Sequence, residues 1–431
     1  MTAFPKYPKY KDSGLDWLGE VPEHWEISRS RRVFTQRKEL ARKDDQQLSA
    51  TQAYGVIPQA DYEERIGRSV VKISMHLEKR KHVEPDDFVI SMRSFQGGLE
   101  RAWARGCIRS SYTVLEPAIK VAPSYFAYLF KCPQYIGALQ STGNFIRDGQ
   151  DLTYQNYILV GLPLPPLAEQ ERIGAFLDEK TAQIDALIAK KQRQIELLDE
   201  QKAILINRAV TRGVNPHAKL KDSGIEWIGQ IPAHWEAAKG LRYFHETDFR
   251  SVTGNEELLS VSHLTGVTPR SEKNITMFMA ESYEGSKLCE VGDIAVNTMW
   301  AWMAALAVSR YRGLVSPSYS TYRQKKPKAF DSAYLDHLLR TEEYRSHYTI
   351  HSTGITSSRL RLYPHSFLRL KFLCPPLSEQ VAIVKEVNSL RDKITKASGL
   401  FESQIQTLQT LRSTLIAHAV TGKIAIPAAT A

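Results

Sequence analysis

One peptide occurs twice in this chain. Residues 9–26 read KYKDSGLDWLGEVPEHWE and residues 219–236 read KLKDSGIEWIGQIPAHWE; 11 of the 18 positions are identical. Leu15/Ile225, Asp16/Glu226, Leu18/Ile228 and Val21/Ile231 are conservative pairs. The offset is 210 residues, close to half of the 431 in the chain. PPLAEQ at 165–170 and PPLSEQ at 375–380 repeat at the same offset, and so do Arg208-Ala209-Val210-Thr211 and His418-Ala419-Val420-Thr421. Self-similarity at one fixed spacing means one structural unit used twice. Between these anchors the copies diverge, leaving echoes such as Ser111-Tyr112 beside Ser318-Tyr319 and Ser141-Thr142-Gly143 beside Ser352-Thr353-Gly354. Two units that share a frame and differ in content suit a device that reads two different things at a fixed separation.

The stretch from Pro166 to Gly213 has no internal proline, and proline at the start with glycine just past the end is helix punctuation. Ile184, Ile188, Lys191, Ile195, Leu198, Lys202, Leu205 and Ala209 recur in steps of four and three, the seam of a coiled coil. Ile394, Ser398, Phe401, Ile405, Leu408, Arg412, Leu415 and Ala419 repeat it in the second copy, with Lys202 and Arg412 interrupting at the same place. A helix of about 45 residues spans roughly 65–70 Å and must bury its stripe. Its partner is either the equivalent helix of the other half or a globular core beneath it.

The net charge of +10 is unevenly spread. Residues 166–212 carry eight acids and eight bases, whereas residues 1–165 carry 23 bases against 19 acids and residues 213–375 carry 20 against 16. The excess lies in the two variable regions, which are therefore the candidate nucleic-acid surfaces. Each reads as an α+β domain: a strand at Phe88–Met92 or Ile294–Thr298, and a helical stretch over 123–140 or 331–348. Arg93, Ser94, Phe95, Gln96 and Gly97 follow the first strand, and Met299, Trp300, Ala301 and Trp302 follow the second. Arg and Gln suit guanine and adenine edges. Trp300 and Trp302 read either as core or as base contacts, and Arg93 as a base reader, a phosphate contact or a salt-bridge partner. Lys79-Arg80-Lys81 and Lys325-Lys326 read most simply as solvated faces, otherwise as phosphate contacts that position without specifying.

Several functions are disfavoured. No run of about 18 apolar residues and no signal-peptide pattern is present, so a cytoplasmic location is expected. Cys107, Cys132, Cys289 and Cys374 form no CxxC pair and read as buried reduced thiols. GxGxxG, GxxxxGK[ST] and HExxH are missing. His24 and His234 have no catalytic partner at a telling spacing, so the Trp-x-Gly-x-x-Pro-x-His-Trp peptide reads as one packed against a helix base or a partner.

Together these features resemble the specificity subunit (S, HsdS) of type I restriction–modification systems, carried by KDSG-x-x-W-x-G-x-x-P-x-H-W, PPL-x-EQ and the tandem arrangement over essentially the whole chain. The resemblance implies an α+β fold: two tandem pseudo-repeated α/β target recognition domains separated by two long helices packed as an antiparallel coiled coil. The first recognition domain would occupy residues 1–165, the first spacer helix 166–212, the second recognition domain 213–375, and the second helix with its tail 376–431. Each domain would read one half of a bipartite, asymmetric duplex DNA target. The helices would fix the spacer and dock two modification subunits, with two restriction subunits completing the complex. The chain itself would be non-catalytic and without a cofactor; S-adenosylmethionine, ATP and magnesium would belong to the partners.

Loop position and side-chain chemistry select Tyr54, Arg68, Lys72, Arg93, Ser94, Gln96 and Arg147 as DNA contacts in the first half. In the second half they select His263, Arg270, Lys273, Asn297, Trp300, Ser358 and Arg359. Trp17, His24, Trp25, Trp227, His234 and Trp235 are expected at the frame and the modification-subunit interface. The competing readings are a scaffold whose twin domains bind proteins, and an autonomous DNA-acting enzyme.

Overall fold

The computed structural model describes residues 4–70, 79–143, 152–273, 282–356 and 359–427. Contacts divide the chain into two units, Met1–Gln192 with Glu402–Ala431, and Arg193–Phe401. The division cuts both long helices, so each unit holds the start of one helix and the end of the other.

The repeated peptide folds for local reasons. In KDSG, Asp12 Oδ1 accepts from the Gly14 N–H at 2.9 Å and Ser13 Oγ from the Leu15 N–H at 3.2 Å. The chain turns at Gly14 with φ 69°, a conformation glycine adopts without strain. Asp222, Ser223 and Gly224 repeat this at 2.8 Å, 3.0 Å and φ 66°. The turns fold Tyr10–Asp12 onto Glu20–Pro22 and Leu220–Asp222 onto Gln230–Pro232. Beyond them, Glu26–Arg29 pairs antiparallel with Gly161–Leu164, and Glu236–Lys239 with Lys371–Cys374. Each repeated peptide is thereby stitched to the strand that runs into a long helix.

The variable regions share one topology. An antiparallel sheet orders Phe34–Gln36, Thr113–Pro117, Phe88–Ile90 and Glu100–Arg101 in the first unit. Its counterpart orders Phe244–Thr247, Ser320–Gln324, Ile294–Val296 and Leu306–Val308. The two expected helical stretches are each broken in two, at 123–129 and 133–141, and at 332–339 and 342–351. Pro133 breaks the first, because the residue before a proline is driven out of helical φ/ψ; Cys132 has ψ 142°. Thr341 restarts the second by capping, its side chain accepting from the Tyr344 N–H. One aromatic-rich core centres on Trp25, Phe34, Phe88, Tyr125 and Phe126, and the other on Trp235, Phe244, Tyr322, Tyr334 and Phe372. All four cysteines are free, and only Cys374 is not fully buried.

The long helices run over Leu167–Arg212 and Leu377–Val420 and pack against each other. Along residues 184–209 and 394–419 every seam position is buried or half-buried, while most positions between them are exposed. The pairing is antiparallel: in the first unit Ile184 and Ile188, near the start of one helix, join Leu408, Leu411 and Leu415, near the end of the other. The two seam interruptions behave differently. Arg412 pairs across to Asp185 at 2.9 and 3.2 Å, whereas Lys202 pairs with Asp199 on its own helix. The helix ends also lie on domain cores, with Ile173 and Leu177 in one cluster and Ala209, Val210, Ile383 and Val387 in the other. No helix among the described residues is long and apolar enough to cross a membrane.

Both helices end in a left-handed glycine, Gly213 (φ 76°) and Gly422 (φ 72°). A Cβ on Gly422 would lie 2.4 Å from Pro22 Cδ and 3.1 Å from Trp25 Cη2. We predict that Gly422→Ala lowers stability by about 1–3 kcal/mol, combining left-handed strain with a steric shift. Gly399→Ala, in open space inside the second helix, should instead raise it by about 0.5–1 kcal/mol. Denaturant melts of the two variants should move in opposite directions.

Candidate nucleic-acid interface

The site is built on a polar clasp at each helix start. Glu169 of PPLAEQ is buried and accepts from Trp25 Nε1 at 3.2 Å and from the Tyr7 hydroxyl at 2.5 Å, while His24 Nε2 lies 2.8 Å from its second oxygen. Burial and the neighbouring Glu169 carboxylate hold the Tyr7 hydroxyl far above its ordinary value, so it remains a donor. In the second unit Glu379 meets His234 Nε2 at 2.6 Å and Trp235 Nε1 at 3.0 Å. The histidine-to-glutamate separation is 145 residues in both copies, an acidic partner that the sequence reading missed and that the equal spacing could have revealed. The glutamine of each motif ties the helix to its domain: Gln170 Oε1 accepts from the Ala122 N–H at 3.0 Å and Gln380 Oε1 from the Asp331 N–H at 2.7 Å.

These contacts place the expected interface residues. Trp25 and Trp235 are fully buried, so they build the frame and present no surface to a partner. Trp17 and Trp227 are partly buried against the cores, the latter stacked on His347 at 3.8 Å. His24 and His234 keep about half of their side-chain surface, 49% and 53%, and face outward from the clasp.

In the first unit a cleft of about 1310 Å³ gathers Tyr54, Arg93 and Gln96 with Arg80, Arg109 and Tyr112. The turn after Phe88–Ile90 explains the presentation: Ser94 Oγ accepts from the Ser91 N–H at 2.8 Å and is buried, which turns Arg93 and Gln96 outward. Ser94 is thus a turn-former and not a base contact. Tyr54 lies edge-on to Tyr62 at 6.4 Å, with the Arg65 guanidinium 4.9 Å from its ring centre. Arg68 is exposed but does not line the cleft, and Lys72 and Arg147 lie outside the described residues. Of Lys79-Arg80-Lys81 only Lys79 is exposed as a solvated face would be. Arg80 is 7% exposed, and the Lys81 ammonium donates to the Tyr112 carbonyl, burial drawing it below its ordinary pKa.

The second unit has a smaller cleft of about 560 Å³, which gathers Trp300 and Arg359 with Met299, Ile355, Arg361 and Tyr363. Trp300 is half-exposed and stacks on Trp302 at 5.8 Å, so neither tryptophan is sunk in the core. Thr353 and Arg361 exchange backbone hydrogen bonds of 3.0 and 2.9 Å, which holds Ile355 and Arg359 beside Trp300. Asn297 points inward, its Nδ2 donating to the Tyr319 hydroxyl at 3.0 Å, and is buried. His263, Arg270 and Lys273 do not line this cleft; they sit at and beyond the hairpin of Leu259–Ser262 and Gly266–Pro269, where Lys273 donates to Ser260 Oγ. Ser358 lies outside the described residues.

No family model matches the chain. Relatives that the chain matches include three type I restriction enzyme specificity subunits. It is 28% identical to the MjaVIII specificity subunit of Methanocaldococcus jannaschii over 222 residues, 51% of this chain and 49% of that one, so the match spans about half of that relative's length. It is 23% identical to the StySPI specificity subunit of Salmonella potsdam over 434 residues, 94% of this chain and 90% of that one. The fold is that of HsdS structures. It matches a chain from a type I restriction–modification complex (TM-score 0.63, 14% identity, 93% of this chain and 98% of the other). It also matches HsdS of Thermoanaerobacter tengcongensis (TM-score 0.52, 14% identity, 94% and 98%). The resemblance read from the repeated peptides to type I specificity subunits therefore stands.

Removing the clasp carboxylate should expose its energetic role. Glu169→Ala leaves the Trp25 and Tyr7 donors buried without an acceptor, at about 1–3 kcal/mol each. We predict a loss of about 2–4 kcal/mol in urea melts of Glu169→Ala, and a smaller one for Glu169→Gln, which keeps one acceptor oxygen.

Proposed function

We propose that this chain is the non-catalytic, sequence-reading subunit of a type I restriction–modification complex. Its two domains each read one half of a split duplex DNA target. The observation that carries this reading is the pairing of one repeated frame with two clefts of different chemistry. The first cleft offers arginine, glutamine and tyrosine, and the second offers tryptophan, isoleucine and arginine. Arg93 and Gln96 are exposed beside one strand end, where a bidentate pairing with a purine edge is worth about 1–3 kcal/mol of discrimination. Tyr54, Trp300 and Arg359 are the other proposed contacts, with Arg68, His263, Arg270 and Lys273 as phosphate contacts at the periphery.

The long helices would set the unread spacer, since 46 residues span about 69 Å. They would also dock two modification subunits, which would bring S-adenosylmethionine and methylate adenine, with ATP- and magnesium-dependent restriction subunits joining them. Leu187, Leu197 and Ile204 on the first helix and Val381 and Leu400 on the second are large apolar side chains left exposed, which supports a docking role. His24 and His234, outward at the helix starts, lie where such a partner would touch the frame.

Methylome sequencing of a methylation-free host carrying this chain and its neighbouring modification subunit tests the reading. The expected result is methyladenine at one split motif with two fixed blocks around an unspecified gap. Arg93→Ala should relax one position of one block and leave the other block and the gap unchanged. A complex that assembles yet methylates no motif would favour the scaffold reading, as would duplex binding without a steep salt dependence.

A further inference from the structure

Seven charged residues are buried among the described positions of the two units: Arg80, His82, Asp87, Glu100, Glu169, Lys287 and Asp293. Six have a partner of opposite charge or a charge-assisted hydrogen bond. His82 lies 2.6 Å from Asp45, Asp87 accepts from Arg37 at 2.7 Å, and Glu100 from Lys131 at 2.5 Å. Glu169 holds its clasp, Lys287 meets Asp248 at 3.3 Å, and Asp293 accepts from Arg323 at 2.7 Å. Arg80 is the exception. Among the described residues its guanidinium has one hydrogen-bond partner, the Cys107 sulfur at 3.9 Å. That thiol carries no charge, since burial pushes it above its ordinary pKa.

An arginine buried without a counter-charge is costly. Arg80 lines the first unit's cleft, and among the described residues no aspartate or glutamate lines that cleft with it. Arg93 and Arg109 stand at its exposed rim, and Tyr54, Tyr62 and Tyr112 contribute rings and hydroxyls to its walls. Guanidinium groups beside stacking rings are the groups that hold single nucleotides, the base on an aromatic face and the phosphate on guanidinium. The space of about 1310 Å³ exceeds the roughly 300–1,000 Å³ of ordinary small-ligand pockets, yet it is too small for a duplex.

We propose that this cleft binds one nucleotide, its phosphate on the Arg80 guanidinium and its base among the tyrosines. The nucleotide comes either from the bound DNA, extruded from the stack, or from free solution. The first source rests on the DNA-reading function proposed above; the second does not.

The test uses the full chain in two arms. In the first, calorimetry compares the four deoxynucleoside monophosphates with the matching nucleosides. At least one monophosphate should bind, its nucleoside at least ten-fold more weakly. Arg80→Gln should lose at least ten-fold, and Arg80→Lys should lose less. In the second arm, 2-aminopurine is stepped through the half-site duplex. A several-fold fluorescence rise at one position with the wild-type chain, lost in Arg80→Gln, identifies an extruded base. Monophosphate binding with a silent duplex identifies the free source. The proposal is overturned if no monophosphate shows phosphate-dependent binding and every duplex position is silent, or if Arg80→Gln binds like wild type. Should Arg80→Gln fail to fold, the monophosphate-to-nucleoside ratio of the wild-type chain and the Arg80→Lys variant decide. A chain that binds no duplex counts against the DNA-reading function, and the first arm still decides the cleft.

Discussion

In each unit one buried tryptophan touches both long helices. The Trp25 indole N–H is satisfied by Glu169 in the first turn of one helix, and its ring lies under Gly422 at the end of the other. Trp235 does the same with Glu379 and Gly213. The chemistry suits the place. A carboxylate is favoured at a helix N-terminus, where unpaired N–H groups concentrate positive potential, and a bare glycine lets an indole approach a helix end. The terminal carbonyls are capped from the domains, Val420 by the Tyr125 hydroxyl at 2.9 Å and Val210 by the Tyr334 hydroxyl at 3.0 Å. Both phenols are fully buried, which raises them well above their ordinary pKa and keeps them as donors. One side chain thus fixes the approach of a helix start, a helix end and a domain. The variable residues can change without disturbing any of these three.

That division explains what the sequence discloses. The repeated peptide and the helical seam are legible because their constraints are local or periodic: Asp12 and Ser13 act on neighbours two residues away, and seam residues recur every three or four. The pairing of His24 and Trp25 with Glu169 is not legible from chemistry alone, since it joins residues about 145 apart; only its recurrence at equal spacing marks it. The helical stretches were legible in extent but not in their breaks, which turn on Pro133 and on the Thr341 cap.

The clefts were legible as regions and much less so as residues. Arg93 and Gln96 stand where strand-end reasoning puts them, but Ser94 between them faces inward because its hydroxyl closes the turn on Ser91. Asn297 is likewise taken by Tyr319. In Lys79-Arg80-Lys81 the run of charge suggests a solvated face. Antiparallel pairing of Lys81–Val83 with Gly106–Ile108 carries the segment inward instead, placing Arg80 against Cys107. Side-chain type sets what a residue can bind, whereas long-range strand pairing sets which way it points, and the second is absent from a local reading.

The two clefts also differ in how sharply they can discriminate. A site that hydrogen-bonds its ligand rejects an analogue lacking the group strongly, because buried donors are then left unpaired, whereas an apolar contact separates ligands by a smaller factor. The first cleft is rich in directed donors, with Arg93, Gln96 and Arg109 around it. The second places Trp300, Met299 and the fully exposed Ile355 beside two arginines. In the proposed function this asymmetry has a consequence for the half-sites. The first unit would read through hydrogen bonds to base edges and tolerate few substitutions. The second would rely more on thymine methyl groups, stacking and the ease of deforming its half-site, with Arg359 and Arg361 holding the backbone. A common frame can carry both strategies because, among the described residues, none of the clasp side chains lines either cleft.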